Sequence, residues 1–408
     1  MSISNARVRI VALAVLFEVL IKKNKAKAAI VHTTSSQSWE PRDIGLLREM
    51  VYGVLRNYFA LEADFSRFVK QKPSDYSRLA LLLGTYQLRL MRIPDHAAVG
   101  ETVAAIKPYE THTAGFINAV LRQVAKSEAP QKLKPHQRVE LPQWMYALWR
   151  DAFTADVVSD IASACNTSPD LCVVVFSDRE AWMQQAQDLG LEVKAGSFSP
   201  YAVLLNANTS VTSLPGFAEG DVMVMDQAAQ MATLSVDLKE EDGLLLDLCA
   251  APGGKTALLS HRFPKASITA VELNPRRIPR LEENLKRLQC SNTQVLQADC
   301  AFLPYADNSV DAIMLDAPCS ASGTLRRHPD AKFLHTIEDV KAAGQLQLIL
   351  LQEALRVLKP GASMTYAVCS IHAAENEDVI AQAGNIITKQ RLLPNNEHDG
   401  FFFASITK

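Results

Sequence analysis

Cysteine is scarce in this chain and poorly spaced for metal. The seven cysteines among its 408 residues include no C-x-x-C pair and are odd in number. Neither a zinc site nor a disulfide framework is expected, and a reducing, cytoplasmic setting suits the free thiols. Net charge is lacking too: 42 Lys and Arg against 44 Asp and Glu leave a formal −2 at pH 7. No hydrophobic run is long enough to span a bilayer. Residues 10–21, IVALAVLFEVLI, follow Arg7 and Arg9 as a signal-peptide core would. Glu18 interrupts them, however, four lysines follow, and no small-residue cleavage site does. An amphipathic first helix is the better reading, with no membrane partner. Repeats and low-complexity tracts are also missing. What is present, 48% hydrophobic and 21% charged residues, describes a soluble globular protein with length for two or three domains.

The neutral total hides a split. Residues 1–140 hold 21 Lys and Arg against 12 Asp and Glu, a balance of +9, and the remainder carries −11. A basic front half suits a polyanion partner, although a merely solvated basic face has the same composition. That front half reads as helix throughout, with apolar residues at helical spacing in VRIVALAVLFEVLIKK, DIGLLREMVYGVLRNYFALEADFSRFV, SRLALLLGTYQLRLMR and AGFINAVLRQVAK. Pro94 and Pro108 are expected at helix boundaries. A Lys-, Pro- and Gln-rich stretch from Glu128 to Pro142 reads as a linker. Residues 142–215 mix helices with short strands, LCVVVFS being the clearest. From Gly243 onward strands and helices alternate as in βαβ units. The expected domains are 1–138, 139–218 and 219–408: an all-α domain, a small α/β subdomain and an α/β Rossmann-like domain.

The last domain is organised around LLLDLCAAPGGKTALL, residues 244–259. An apolar strand runs into a loop of small residues and a helix start, the usual way an α/β sheet offers backbone N–H groups to a ligand. A phosphate-binding P-loop needs glycine where Cys249 stands, and the dinucleotide pattern G-x-G-x-x-G is absent. What remains is a nucleoside cofactor without a phosphate chain, S-adenosylmethionine foremost. The loop residues Cys249, Ala250, Ala251, Pro252, Gly253, Gly254 and Lys255 are its expected contacts. The next strand ends at Glu272, placed to accept both ribose hydroxyls, and a third ends near Asp299, placed for an adenine amino group. A single acid after a strand is as readily a turn residue or helix cap; three successive strands delivering small or acidic residues to one edge is the stronger signal. The fourth strand leads to Asp316 and Cys319, the fifth to Cys369. In a doubly wound sheet both thiols would face one cleft, although a free cysteine is by itself an ordinary small core residue.

LDLCAAPGGKT, DAPCSASGTLRRHPD, the Cys369-Ser370…Glu375-Asn376 segment and Asp399-Gly400-Phe401-Phe402 resemble the signatures of the RNA 5-methylcytosine methyltransferases, the Sun/Fmu/Nop2 family. Where that family has Pro-Glu-Glu-Asn, this chain has Ala373-Ala374-Glu375-Asn376. Its usual Leu-Arg-Val-Asn-like strand is replaced by Val173-Val174-Val175-Phe176, which removes a basic contact. Met225-Asp226-Gln227-Ala228-Ala229-Gln230 matches a segment lying near the cofactor. In the front half, Arg92-Ile93-Pro94-Asp95-His96 and Gly115-Phe116-Ile117-Asn118 are similar to the NusB-like RNA-binding domain that the bacterial 16S rRNA members carry.

The resemblance implies methylation of C5 in one cytosine of 16S rRNA, position 967 in rRNA numbering, by a cytoplasmic, monomeric enzyme that needs no metal. It also implies that Cys369 is the nucleophile and Cys319 aids release. Cytosine C5 does not take a methyl group directly, and adding a thiolate to C6 makes C5 enamine-like. Asp316 would contact either the cofactor or the cytosine, and no general base stands out among the nine histidines. Arg326, Arg327, His328 and Lys332 would contact RNA phosphates, unless they form a solvated basic loop. Two alternatives stand beside this reading. A DNA cytosine-5 methyltransferase would use the Pro-Cys thiol, Cys319, and would need a target-recognition domain after the sheet, where about forty residues follow Cys369. An RNA-binding assembly factor with a vestigial cofactor fold would have no use for both thiols.

Overall fold

The computed structural model describes residues 5–35 and 38–408. It contains two compact units, residues 1–166 with 328–336, and residues 167–327 with 337–408.

The first unit is helical. Asn5–Leu20, Pro41–Arg56, Asp75–Leu90, Asp95–Glu110 and Ala114–Lys126 are its longest helices. Apolar residues three and four apart give each a stripe, and Leu13, Leu16, Val54, Leu82 and Leu121 from these stripes share one core. Ser74 caps one helix by accepting the Ser77 N–H at 3.2 Å. Pro94 stands just before Asp95–Glu110, as a boundary proline should. Pro108 does not end a helix: it lies in the last turn of that same one, where the lost N–H costs a single bond. The unit also runs past the expected limit at residue 138, to Asn166. The stretch read as a linker is held down, because the Glu140 carboxylate accepts the N–H groups of Phe59 and Ala60 at 2.8 and 3.1 Å, at the start of helix Tyr58–Ser66.

The second unit contains two sheets. The smaller is antiparallel, β1 (Leu171–Val175), β2 (Val193–Ala195), β3 (Ala202–Leu205) and β4 (Val222–Val224), in the order β2-β3-β1-β4. The larger comprises β5 (Leu244–Leu248), β6 (Ser267–Glu272), β7 (Thr293–Gln297), β8 (Val310–Asp316), β9 (Leu358–Val368), β10 (Asn385–Leu392) and β11 (Phe401–Thr407). Its order is β10-β11-β9-β8-β5-β6-β7. Strands β5 to β9 run parallel, and β11 returns antiparallel between β9 and β10. The central strands are covered on both faces, which is why they read as unbroken apolar runs such as Leu244-Leu245-Leu246. Strand β9 runs through Lys359-Pro360-Gly361. It starts at Leu358 and takes that turn as a bulge, with the register against β8 shifting between Val310 and Ala312. The order reverses at β5, so the loops after β5, β6, β7, β8 and β9 share the carboxyl edge where such sheets bind ligands.

Candidate active site

The loop after β5 is a tight turn. Cys249 has φ 63°, the Ala251–Pro252 peptide is cis, and Gly253 has φ 101° before the helix Gly254–Arg262 begins. Only glycine takes that last conformation at little cost. The Ala250 N–H is tied to the Val271 carbonyl of β6 at 3.0 Å. Asp247, fully buried under the loop, accepts the Thr256 hydroxyl at 2.5 Å with one oxygen, while its other oxygen has no hydrogen-bond partner. Burial pushes its carboxyl up to about 7.

Carboxylates surround this loop. Glu272 ends β6 and accepts from Ala251 N–H at 3.3 Å and Asn274 N–H at 2.9 Å, with Arg277 at 2.9 Å. A carboxylate has about four acceptor positions, so it can still take a hydroxyl. Asp299 is exposed beyond β7, where its Oδ1 accepts the Ala301 N–H at 2.9 Å. Asp316 ends β8 and pairs with Lys255 at 2.7 Å. Burial pulls the Lys255 ammonium down, but Asp316, Asp247 and Cys369 together outweigh it and hold the group above its ordinary value. Such an acceptor-rich rim would repel a polyphosphate. It fits a ligand offering hydroxyl and amino donors together with a positive charge, which is the chemistry of S-adenosylmethionine.

The two strand-end thiols meet. Asp316 of β8 pairs in register with Ala367 of β9, and just beyond, Cys319 Sγ lies 3.3 Å from Cys369 Sγ. A hydrogen bond to Cys369, followed by burial, holds the Cys319 thiol well above its ordinary value, which favours its protonated form; either sulfur can be the donor in the contact between them. Lys255 is within electrostatic reach of Cys369. A second thiol pair, Cys249 and Cys300, sits 4.0 Å apart after β5 and β7.

The basic loop is divided rather than gathered. Arg326 is 2% exposed, its guanidinium taken up by Asp399, Asp226 and the Asn395 carbonyl. Arg327 is half-buried against the same two acids, at 2.6 Å from Asp399 and 3.0 Å from Asp226. Lys332 belongs to the helical unit, buried, donating to the Arg56 and Glu140 carbonyls at 3.1 and 3.0 Å, and burial lowers it to about 8. The phosphate contacts expected of Arg326 and Lys332 are corrected accordingly: both are buried and their donors are directed to protein acceptors. Of the four, only His328 is exposed. Asp226 caps the helix Gln227–Leu234 through the Ala228 N–H at 2.9 Å and anchors the arginines.

One site residue is not visible as such in the sequence. Glu375 appears there only as part of a motif, yet its buried carboxylate joins the loops that carry both thiols. It accepts the Ser320 N–H at 2.7 Å, the Ser320 hydroxyl at 2.5 Å and the Ser370 hydroxyl at 2.5 Å. The only sequence signal is its place six residues beyond Cys369.

This fold and rim define a Rossmann-like methyltransferase domain in a chain that also has a helical unit. Family models agree: 16S rRNA methyltransferase RsmB/F matches residues 233–405, and the NusB family matches residues 6–126. The ribosomal RNA small subunit methyltransferase B of Vibrio vulnificus is 34% identical over 427 residues, covering 98% of this chain and 99% of that protein. The crystal structure of PH0851 shares the fold over the full length of both chains, with a TM-score of 0.81 at 21% identity. A methyltransferase homolog protein from Pyrococcus horikoshii covers 69% of this chain and 100% of its own, with a TM-score of 0.58 at 25% identity. The chain therefore belongs to the RsmB/F methyltransferase family, in its form with a NusB domain in front. Among the described residues no helix is long and apolar enough to cross a membrane.

Proposed function

We propose that the protein methylates C5 of a cytosine in 16S rRNA, using S-adenosylmethionine and a transient bond between Cys369 and C6. The observation that carries this is the 3.3 Å separation of Cys319 and Cys369 at the ends of adjacent parallel strands. The rRNA substrate rests on membership of a family whose relatives are named for it.

Residues 249–255 with Glu272 and Asp299 would hold the cofactor, which when bound supplies an electrophilic methyl group. Asp316, paired with Lys255, lies between the cofactor loop and the thiols and serves either partner. The sulfur of Cys369 adds to C6, and the ring electrons move to C5, which becomes the nucleophile. Lys255 supplies positive charge next to the attacking sulfur. After methyl transfer the C5 proton leaves and the Cys369–C6 bond breaks as the ring regains its double bond. Cys319, still carrying its proton, hydrogen-bonds the departing sulfur and so assists release. The +9 charge of residues 1–140 supports a role for the helical unit in holding RNA.

The test uses labelled methyl transfer to unmodified 16S rRNA, with denaturing gels to detect protein–RNA adducts. Cys369→Ala should abolish transfer and leave no adduct; Cys319→Ala should accumulate one. Adducts in the opposite variant would reverse the two roles, and full transfer by Cys369→Ala would end the proposal.

A further inference from the structure

The two thiols belong to loops on different strands, and something must set their spacing. Two hydrogen bonds help to register the loops: Gly323 N–H to the Cys369 carbonyl at 3.0 Å, and Ile371 N–H to the Ser322 hydroxyl at 3.0 Å. These lie beyond Cys319, on the far side of Ser320. The residue immediately after each cysteine is also held by one carboxylate, beside a direct Ser322–Ser370 hydroxyl contact at 3.0 Å. Glu375 takes the Ser320 N–H and both hydroxyls, and Gln347, which also donates to the Pro318 carbonyl at 2.8 Å, approaches Glu375 at 3.4 Å. Glu375 is itself fixed, since its backbone carbonyl accepts the Tyr366 hydroxyl at 2.7 Å. The Ser320 N–H lies in the same peptide plane as the Cys319 carbonyl. Gripping it therefore fixes ψ of Cys319, and with it the direction in which the thiol leaves the backbone. Gln347 does the same from the Pro318 side.

We infer that Glu375 is a positioning residue, bridging Ser320 and Ser370 so that the Cys319 and Cys369 thiols stay within S–H···S reach. The inference rests on the two-thiol reading of the reaction but concerns spacing, which can be measured without any methyl transfer. A carboxylate suits the task because its two oxygens accept three bonds at once from two loops, which a neutral amide of the same shape cannot do without turning an NH2 toward a donor. Replacing Pro-Glu with Ala373-Ala374 leaves this group in place.

Spacing can be read with diamide, which oxidises a close thiol pair to a disulfide and is itself reduced to the hydrazine. The products are mapped as peptides by mass spectrometry on the full-length protein. The wild type should form Cys319–Cys369 readily. Glu375→Ala should form it about tenfold more slowly, because disulfide closure demands specific geometry. Its methyl-transfer kcat should fall about a hundredfold, with the KM for rRNA little changed. Glu375→Gln should recover part of both losses. The Cys249–Cys300 pair, on other strand ends, is the internal control, and its rate should not move. Should Glu375→Ala fail to fold, Ser320→Ala and Ser370→Ala each remove one hydroxyl donor and should slow closure more mildly. An unchanged Cys319–Cys369 rate in these variants overturns the inference, whatever happens to methyl transfer. Slowed closure with undiminished methyl transfer leaves Glu375 as the spacer and overturns the two-thiol mechanism instead.

Discussion

Asp247 is a group whose cost depends on pH. Its carboxylate lies fully buried beneath the cofactor loop, with one oxygen on Thr256 and the other without a hydrogen-bond partner. Burial raises it to about 7, whereas an unfolded Asp titrates at about 3.9. Between those values the folded chain keeps a proton that the unfolded chain has lost, so stability declines as pH climbs through the window. Asp247→Asn imitates the protonated acid at every pH. In urea melts it should match the wild type near pH 4 and exceed it near pH 8 by roughly 1–4 kcal/mol. A difference that stays flat across this range would mean that Asp247 is ionised in the fold throughout.

Between elements, the active-site edge depends on a close backbone crossing. A Cβ added at Gly323 would sit 2.1 Å from the Gly400 carbonyl oxygen, and the Gly400 N–H already donates to the Gly323 carbonyl at 2.8 Å. No side chain can rotate out of that contact. Gly323→Ala should therefore cost about 3 kcal/mol or more in a denaturant melt, and most of the methyl-transfer activity with it. Gly45→Ala, in the helix Pro41–Arg56 with nothing within 4 Å, should instead stabilise by about 0.5–1 kcal/mol. Equal effects at the two sites would refute the close-packing argument. The same crossing marks what a sequence can reveal. The strand ends at Asp247, Glu272 and Cys369 are legible because an apolar run followed by small or charged residues is a local pattern. The partnership of Gly323 with Gly400, the Asp226–Arg326–Asp399 ion pairs and the grip of Glu375 on Ser320 join residues 55 to 100 positions apart. No periodicity records such pairs. Arg326 and Lys332 mislead for a related reason: basic residues in a loop look solvated until the acids and carbonyls that bury them are known.

At the scale of the whole molecule, the front of the chain and the remainder carry opposite net charge. Residues 1–140 carry +9 and the rest −11, yet the acids of the cofactor rim belong to the second unit. An anionic rim next to the two cysteine thiols is a poor place to gather phosphates, so under the proposed function the backbone of a bound RNA falls to the basic helices. The same division predicts how a cofactor analogue acts. A ligand that binds only the folded state stabilises it by RT ln(1 + [L]/Kd), about 2.7 kcal/mol at a hundredfold excess over Kd. With S-adenosylhomocysteine, hydrogen exchange followed by mass spectrometry should slow by up to about a hundredfold in peptides covering β5 to β7. Peptides from the helices between residues 41 and 126 should exchange as before. Equal protection in both regions would show one cooperative unit rather than two. Protection in neither would mean that the turn at residues 249–255 does not hold the nucleoside, and the assignment of Glu272 and Asp299 to its ribose and adenine would fall with it.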